Sequence, residues 1–315
     1  MKGRTGLNTI LALTALSRSF RRAGSFYVLG AGVSAPHVPT INQLSGRLLR
    51  DFLDGGIFQT EPLKRDTVSN RVIRDPECWK DPMRWELIQR LPPGYVTGKL
   101  PTLLSAGLAP RANANYRVFN LAAKPSTIFN MNVDGLASRI CKGHRVFEAH
   151  GRSPGVRILK SSGWTSYVDA IREFPNLPPP LVPGLVLPGP EPAAVLARQS
   201  YKNAEKLLKA AQYISIVGYS FGGMDDIHTH AFLTSRISPL RQTVIVISLD
   251  PLEVTYRLAD TLKSSSIFGI SANWAYLANA IAYPRECRKS HPVPEGLFCA
   301  ECVNYQYEVL LNANG

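Results

Sequence analysis

Short apolar runs alternate with amphipathic stretches along the chain. Leu7, Ile10, Leu11 and Ala15 recur at helical spacing, and residues 26–29 form an uninterrupted apolar run of strand length. This order predicts an amphipathic helix that packs beside a buried strand.

Further short apolar runs, typical of strands, lie at 127–129, 146–147 and 214–217. Apolar residues recur at helical spacing over 41–52, and this spacing begins again at residue 116. Strands that alternate with helices favour an α/β fold with a doubly wound, mostly parallel, Rossmann-like sheet. Residues 57 to about 112 are rich in Pro, Arg and Trp with little strand pattern. We therefore predict a helical insertion at about 41–120.

Composition narrows the class of protein. A chain of 315 residues with 45% hydrophobic residues is long enough and apolar enough for a large globular core. The net charge of +13 indicates either an acidic partner or solvated surface charge, because the basic residues are scattered. Five irregularly spaced cysteines favour a reducing compartment. The apolar run at 10–16 is too short to span a membrane, so the sequence predicts a soluble, cytoplasmic protein.

The run at 26–29 ends in a glycine turn, Gly30-Ala31-Gly32-Val33-Ser34. Two glycines one residue apart let the backbone turn sharply and approach a pyrophosphate, and with Ala35 the segment fits G-x-G-x-x-A. The alternative is a tight turn without a ligand. Asp51 and Asp54 have the spacing of a ribose-binding acidic residue, but they lie at the end of a predicted helix.

Polar side chains also gather where two later strands end. Residues 130–136 read Asn-Met-Asn-Val-Asp-Gly-Leu, and the run at 146–147 leads into Glu148, Ala149, His150 and Gly151. In open α/β sheets, ligands bind at the carboxyl ends of the strands. Two other readings stay open, since Val-Asp-Gly is a common turn and a single histidine is often structural.

These motifs resemble the signatures of a known family. GAGVS at 30–34, NVDGL at 132–136 and HG at 150–151 resemble the NAD-binding and catalytic signatures of sirtuins. Residues 185–192 are similar to the segment after the sirtuin zinc module, 213–222 to a strand and Gly-x-Ser turn, and 244–251 to the last sheet strand. The resemblance covers roughly residues 20–265.

The resemblance implies a sirtuin-type sheet and a set of NAD-binding residues. It assigns Asn132 to orienting the ribose and a water molecule, His150 to general base catalysis, and Asp134 to the nicotinamide carboxamide. The remaining implied contacts are to the pyrophosphate (Gly30, Ala31, Gly32, Ser34) and to the rest of the nucleotide (Gly218, Ser220, Ser248).

The sequence departs from protein-deacylating sirtuins in several places. Residues 152–184 contain no cysteine, where those enzymes carry a zinc ribbon, and Met131 and Ser248 stand where the family has Gln and Asn. The pattern is closer to sirtuin-like domains of bacterial anti-phage systems, which consume NAD. It implies an NAD glycohydrolase with a catalytic domain at 1–285 and an extension at 286–315. It also implies a homo-oligomer, an ATPase or Argonaute-type partner, only indirect contact with nucleic acid, and no membrane.

Other functions remain open from the sequence. The segment 218–222 fits G-x-S-x-G, and Ser220 with Asp250 and His291 has the chain order of an α/β-hydrolase triad. A protein deacylase and a non-catalytic sensor of NAD or ADP-ribose are two more alternatives. For the tail residues Cys287, His291, Cys299 and Cys302, a zinc site and free thiols are two open alternatives. Cys78 and Cys141 are interpreted as structural.

Overall fold

The computed structural model describes residues 2–35, 38, 110–132, 134–149, 157–160, 163–166, 191–219, 226–238, 240–263, 266–282 and 298–313. The helices are α1 (Lys2–Arg21), α2 (Ala31–Ser34), α3 (Pro110–Ala122), α4 (Leu136–Ile140), α5 (Glu191–Ala210), α6 (Asp226–Thr234), α7 (Pro251–Leu262), α8 (Trp274–Ala282) and α9 (Ala300–Asn312). The strands are β1 (Phe26–Leu29), β2 (Thr127–Asn130), β3 (Arg145–Glu148), β4 (Arg157–Lys160), β5 (Gly163–Ser166), β6 (Tyr213–Val217), β7 (Thr243–Ser248) and β8 (Ile267–Ser271). The predicted helix at 41–52 and most of the predicted insertion lie outside the described residues.

In the described part of the chain, six strands form one parallel sheet in the order β3-β2-β1-β6-β7-β8, and β4 and β5 form a separate antiparallel pair. Counted within the large sheet alone, this is the 3-2-1-4-5-6 order of dinucleotide-binding folds. Successive strands are added on one side from β1 to β3 and on the other side from β6 to β8. The direction reverses between β1 and β6, in the middle of the sheet.

The sheet is covered by helices on both faces, because alternate side chains of each strand enter different cores. Tyr27 and Leu29 of β1 join the core formed with α1, α3, α4, α8 and α9. Phe26 and Val28 join the core formed with α5, α6 and α7. Every residue of β1 is buried, as expected for a central strand of a parallel sheet. The predicted doubly wound α/β class is confirmed.

The N-terminal helix is confirmed, and its buried face matches the predicted one only in part, since Ala15 is buried as expected. Leu13, Leu16 and Phe20 are buried, whereas Leu11 is 50% exposed. Apolar residues occupy almost every position from 10 to 16, so the sequence pattern allowed more than one inward face. Packing of α1 across β6, β7 and β8 selects among them.

The segment 244–251 does not contain the last strand of the sheet, and this expectation was wrong. A sixth strand, β8, follows and pairs in parallel with β7. It lies at the edge of the sheet, and Gly269 interrupts its apolar run. Glycine fits here because a Cβ at Gly269 would lie 3.2 Å from Thr255 Oγ1 on α7.

The C-terminal segment contributes to the first core. Val303 of α9 is buried, and the ring of Phe298 lies 5.8 Å from the ring of Phe20 on α1.

Cys141 is also buried, its Sγ lies 3.6 Å from the carbonyl oxygen of Tyr116, and burial raises its pKa to about 12. None of the described helices is both long enough and apolar enough to cross a lipid bilayer.

Candidate functional site

The glycine turn after β1 packs directly against the turn after β6. The amide of Gly30 donates to the carbonyl of Val217 and the amide of Gly32 to the carbonyl of Gly218, both at 2.9 Å. A Cβ at Gly30 would lie 2.5 Å from Gly218 O, and one at Gly32 would lie 2.7 Å from Gly218 Cα. Gly218 has a positive φ of 61°. These glycines therefore let two backbone turns touch at the point where the strand order reverses.

A buried hydroxyl and carboxylate cluster lies beside this turn. Ser34 Oγ is 2.6 Å from Tyr116 OH and donates to Asp134 Oδ2, which Tyr116 OH also approaches at 3.4 Å. Asp134 Oδ1 accepts from the amide of Leu136 at 2.8 Å and so binds the start of α4. The end of α2, the middle of α3 and the loop after β2 are thereby joined.

Burial sets the ionisation of this cluster. Burial raises the pKa of Asp134, and hydrogen bonds from Ser34, Leu136 and Tyr116 oppose that rise. Burial, together with the negative charge of Asp134, raises the pKa of Tyr116 well above its ordinary value. Tyr116 therefore keeps its proton near neutral pH.

Asn132 is fixed by the same cluster. Its Nδ2 donates to the carbonyl oxygen of Gly30 at 2.8 Å and to Tyr116 OH at 3.1 Å, with Ser34 Oγ at 3.4 Å. Only 8% of Asn132 is exposed, and these hydrogen bonds of its side chain all run from Nδ2. The amide group is thus held by its nitrogen, which leaves its carbonyl oxygen for a ligand.

A second buried carboxylate belongs to Glu148, the last residue of β3. Glu148 Oε2 accepts from Asn130 Nδ2 at 2.6 Å, and Oε1 accepts from the amide of Ser138 at 3.2 Å and from Ser138 Oγ. Asn130 Nδ2 also donates to the carbonyl oxygen of Asn132 at 3.0 Å. Burial raises the pKa of Glu148 to about 7, the charge of Asp134 adds to the rise, and the hydrogen bonds from Ser138 and Asn130 oppose it.

Ser248 lies farther along the same edge, at the end of β7. Gly218 connects it to the glycine turn, because the amide of Gly218 donates to the carbonyl of Ile247 at 2.8 Å. Ser248 Oγ is shielded from solvent and has no hydrogen-bond partner in the described part of the chain. A buried hydroxyl without a partner is suited to a polar group of a ligand.

The structure brings most of the predicted site residues to one edge of the sheet, at the ends of β1, β2, β6 and β7 (Gly30, Ala31, Gly32, Ser34, Asn132, Asp134, Gly218, Ser248). His150 and Ser220 lie outside the described residues. Ala31 and Gly32 are half-buried, whereas Ser34 is buried, so the backbone of the turn is more accessible than the serine hydroxyl.

The sequence did not identify Tyr116 as a member of the site, and it placed Asn130 and Glu148 at the strand ends without assigning them a role. Tyr116 lies within an ordinary helical pattern, and nothing in that pattern distinguishes its hydroxyl. Glu148 carried a usable signal, because it is a charged residue directly after an apolar pair in a predicted strand.

The residues of two alternative sites are only partly described. Asp250 is the N-cap residue of α7 and accepts from the amide of Leu252 at 3.3 Å, while the other two predicted triad members lie outside the described residues. Cys299 is the N-cap residue of α9 and Cys302 follows in its first turn; Cys287 and His291 also lie outside. Among the described residues, no group of three or more His, Cys, Asp or Glu side chains is placed to hold a metal ion.

Comparison with known proteins yields structural neighbours only. No family model matches the chain, and no curated protein matches it. A solved structure from work on the mechanism and regulation of Sir2 enzymes aligns with 87% of this chain and 97% of its own, at 14% identity and a TM-score of 0.41. A Sir2 complex with the inhibitor EX-527, 2'-O-acetyl-ADP-ribose and a deacetylated p53 peptide aligns with 82% and 91%, at 15% identity and a TM-score of 0.37. At TM-scores this low, the likeness by itself establishes neither fold nor function.

Proposed function

We propose that this chain is a sirtuin-like NAD glycohydrolase that converts NAD and water to nicotinamide, ADP-ribose and a proton. The observation that carries the proposal is the placement of Asn132, whose side-chain nitrogen is bound by the turn after β1 and by Tyr116. This leaves Asn132 Oδ1 at the carboxyl edge of the sheet, where a nucleotide binds in folds of this strand order.

The glycine turn supports a dinucleotide as the substrate. In sheets of this order, the ligand lies outside the carboxyl ends of the strands where the strand order reverses, here beyond the ends of β1 and β6. The amide of Gly32 already donates to the carbonyl of Gly218, so the half-buried backbone at Ala31 is the part of the turn that we assign to a pyrophosphate. Ser248 Oγ offers a further hydroxyl to the nucleotide at the end of β7.

The chemistry of the reaction matches these residues. Loss of nicotinamide leaves an oxocarbenium-like ribose, so the enzyme gains most by fixing the sugar and the attacking water in place. We assign Asn132 Oδ1 to that task and, from the resemblance of the HG motif, His150 to accepting the proton of the water. Imidazole is suited to this role near neutral pH.

Water, and not an acyl-lysine peptide, is proposed as the acceptor, because residues 152–184 lack the cysteines of a zinc ribbon. Uncontrolled hydrolysis would exhaust the NAD of the cell that makes the protein. We therefore propose a role in bacterial anti-phage defence, in which a homo-oligomer or an ATPase or Argonaute-type partner controls the activity.

The test compares nicotinamide release by the purified full chain and by three variants. Asn132→Ala and His150→Ala should each lower the rate by about 10²–10⁴-fold. Asn120→Ala is the matched control, because Asn120 is an exposed asparagine on α3 whose side chain donates to the carbonyl of Ile140 at 2.7 Å. Equal rates in Asn132→Ala and Asn120→Ala would exclude the proposed role of Asn132.

A further inference from the structure

We propose that Glu148 is a positioning residue for the reaction: through Asn130, its carboxylate holds the main chain of Asn132 and so fixes the side chain that orients the ribose. This inference rests on the proposed function. Glu148 itself does not contact the substrate in this proposal, and it acts only through the asparagine pair.

The contacts form a continuous path. Glu148 Oε2 accepts from Asn130 Nδ2 at 2.6 Å, and the same nitrogen donates to the carbonyl oxygen of Asn132 at 3.0 Å. The amide of Asn132 returns toward Asn130 Oδ1 at 3.4 Å. Asn130 is fully buried and Glu148 is 2% exposed, so water does not compete for these bonds. A buried side-chain network of this kind fixes one geometry when every member has a partner.

The other contacts of Glu148 hold it in place from different elements. Ser138 of α4 donates to Oε1 through both its amide and its hydroxyl, and Ser200 Oγ of α5 donates to the main-chain carbonyl of Glu148 at 3.0 Å. The carboxylate therefore has one end directed to α4 and the other to the asparagine pair. This division makes it possible to disturb one end without the other.

Three variants test the inference. Glu148→Met keeps the length of the side chain and removes both acceptors; Glu148→Gln keeps one acceptor and removes the charge; Ser138→Ala removes a donor only from the α4 end. We expect Glu148→Met to lower kcat for nicotinamide release by about 10²-fold with a much smaller change in KM, because displacement of a positioned group affects the reacting geometry. Glu148→Gln should recover most of that loss, and Ser138→Ala should retain kcat within about threefold.

A second readout does not depend on activity. In protein with isotope-labelled asparagine, the side-chain amide resonance of Asn132, identified by its loss in Asn132→Asp, should shift in Glu148→Met and stay in place in Ser138→Ala. In the wild type the chemical shift of this resonance should also change with pH, with a midpoint of about 7, because protonation of Glu148 weakens the hydrogen bond that Asn130 donates to it. Among the described residues, the titratable groups that interact with Glu148 are Asp134, Tyr116 and Cys141, and loss of the titration in Glu148→Gln separates its contribution from theirs.

The two readouts separate the inference from the proposed function. A wild-type protein that releases no nicotinamide either as the oligomer or with candidate partner proteins, with an Asn132 resonance that still responds to Glu148→Met, would overturn the glycohydrolase and retain the positioning contact. An active wild type, with unchanged kcat and an unmoved resonance in Glu148→Met, would overturn the inference and retain the function.

Discussion

Alanine substitutions at the glycines of the site should distinguish two physical reasons for glycine at a position: contact with another backbone, and a positive φ. Gly32→Ala would place a Cβ 2.7 Å from the Cα of Gly218, a backbone atom that no side-chain rotation can move. To reach an ordinary contact of 3.4 Å, the turns after β1 and β6 must separate by about 0.7 Å. That movement stretches the hydrogen bond from the amide of Gly32 to the carbonyl of Gly218, now 2.9 Å.

The expected cost follows from these two effects. Overpacking of this kind costs about 1–3 kcal/mol and a weakened hydrogen bond about 1 kcal/mol, so Gly32→Ala should lower the free energy of unfolding by about 2–4 kcal/mol. Gly218→Ala meets the same backbone atoms and adds the strain of a positive φ of 61°, which costs about 1–2 kcal/mol more.

Two other glycines provide matched controls. A Cβ at Gly143 would meet nothing within 4 Å, and its φ is not positive, so Gly143→Ala should leave stability unchanged or raise it by about 0.4–1 kcal/mol. A Cβ at Gly24 also meets nothing within 4 Å, but φ is 80°, so Gly24→Ala measures the backbone strain alone. The assay is urea unfolding followed by the fluorescence of the protein's tryptophans, which include the buried Trp274. If Gly32→Ala unfolds at the same urea concentration as Gly143→Ala, the close approach of the two turns is not what requires Gly32.

Three further outcomes are expected. Tyr116→Phe removes the hydroxyl that Ser34 and Asn132 contact, and it should lower the free energy of unfolding by about 1–2 kcal/mol and reduce nicotinamide release; unchanged kinetics would show that the hydroxyl does not hold Asn132. Ser220→Ala should only partly reduce NAD use, and a fluorophosphonate probe should leave the protein unlabelled, whereas stoichiometric labelling of Ser220 would favour the hydrolase alternative. Because the pKa of Glu148 rises from 4.5 to about 7 on folding, the folded state binds the proton more tightly, and the stability that this group contributes below about pH 4.5 should be lost as the pH rises through 7, by about 3 kcal/mol. Glu148→Gln should abolish this loss, and an identical pH dependence of unfolding in the variant and the wild type would contradict the assignment.

Much of the fold could be predicted from the sequence because the central strands are buried on both faces. A strand covered by helices on both sides is apolar at every position, as in Phe26–Leu29, and such runs are visible without a structure. The edge strand Ile267–Ser271 has only one buried residue and a glycine at its centre, so its pattern is weak. The inward face of α1 was also ambiguous, since several faces are apolar and tertiary packing chooses among them.

The candidate site was predictable in position but not in its internal bonding. The glycines and the Asn-x-Asp segment stand directly after predicted strands, and parallel strands bring their carboxyl ends to one edge. Tyr116 enters the site from a helix about 80 residues after Ser34, and only the folded chain shows their hydroxyls 2.6 Å apart. The glycines were expected to allow close approach of a pyrophosphate, and the structure shows that they allow close approach of the turn after β6.

The most direct test of the proposed glycohydrolase is the product formed from NAD by the purified full chain, with and without an acyl-lysine peptide. The account predicts equimolar nicotinamide and ADP-ribose from NAD and water alone, with oxygen from labelled water incorporated into the ribose, and a rate that the peptide does not increase. Because assembly is proposed to control the activity, the assay includes the oligomeric fraction and candidate partner proteins. Nicotinamide release that occurs only with the peptide, together with an O-acylated ADP-ribose, would contradict the account and identify a deacylase.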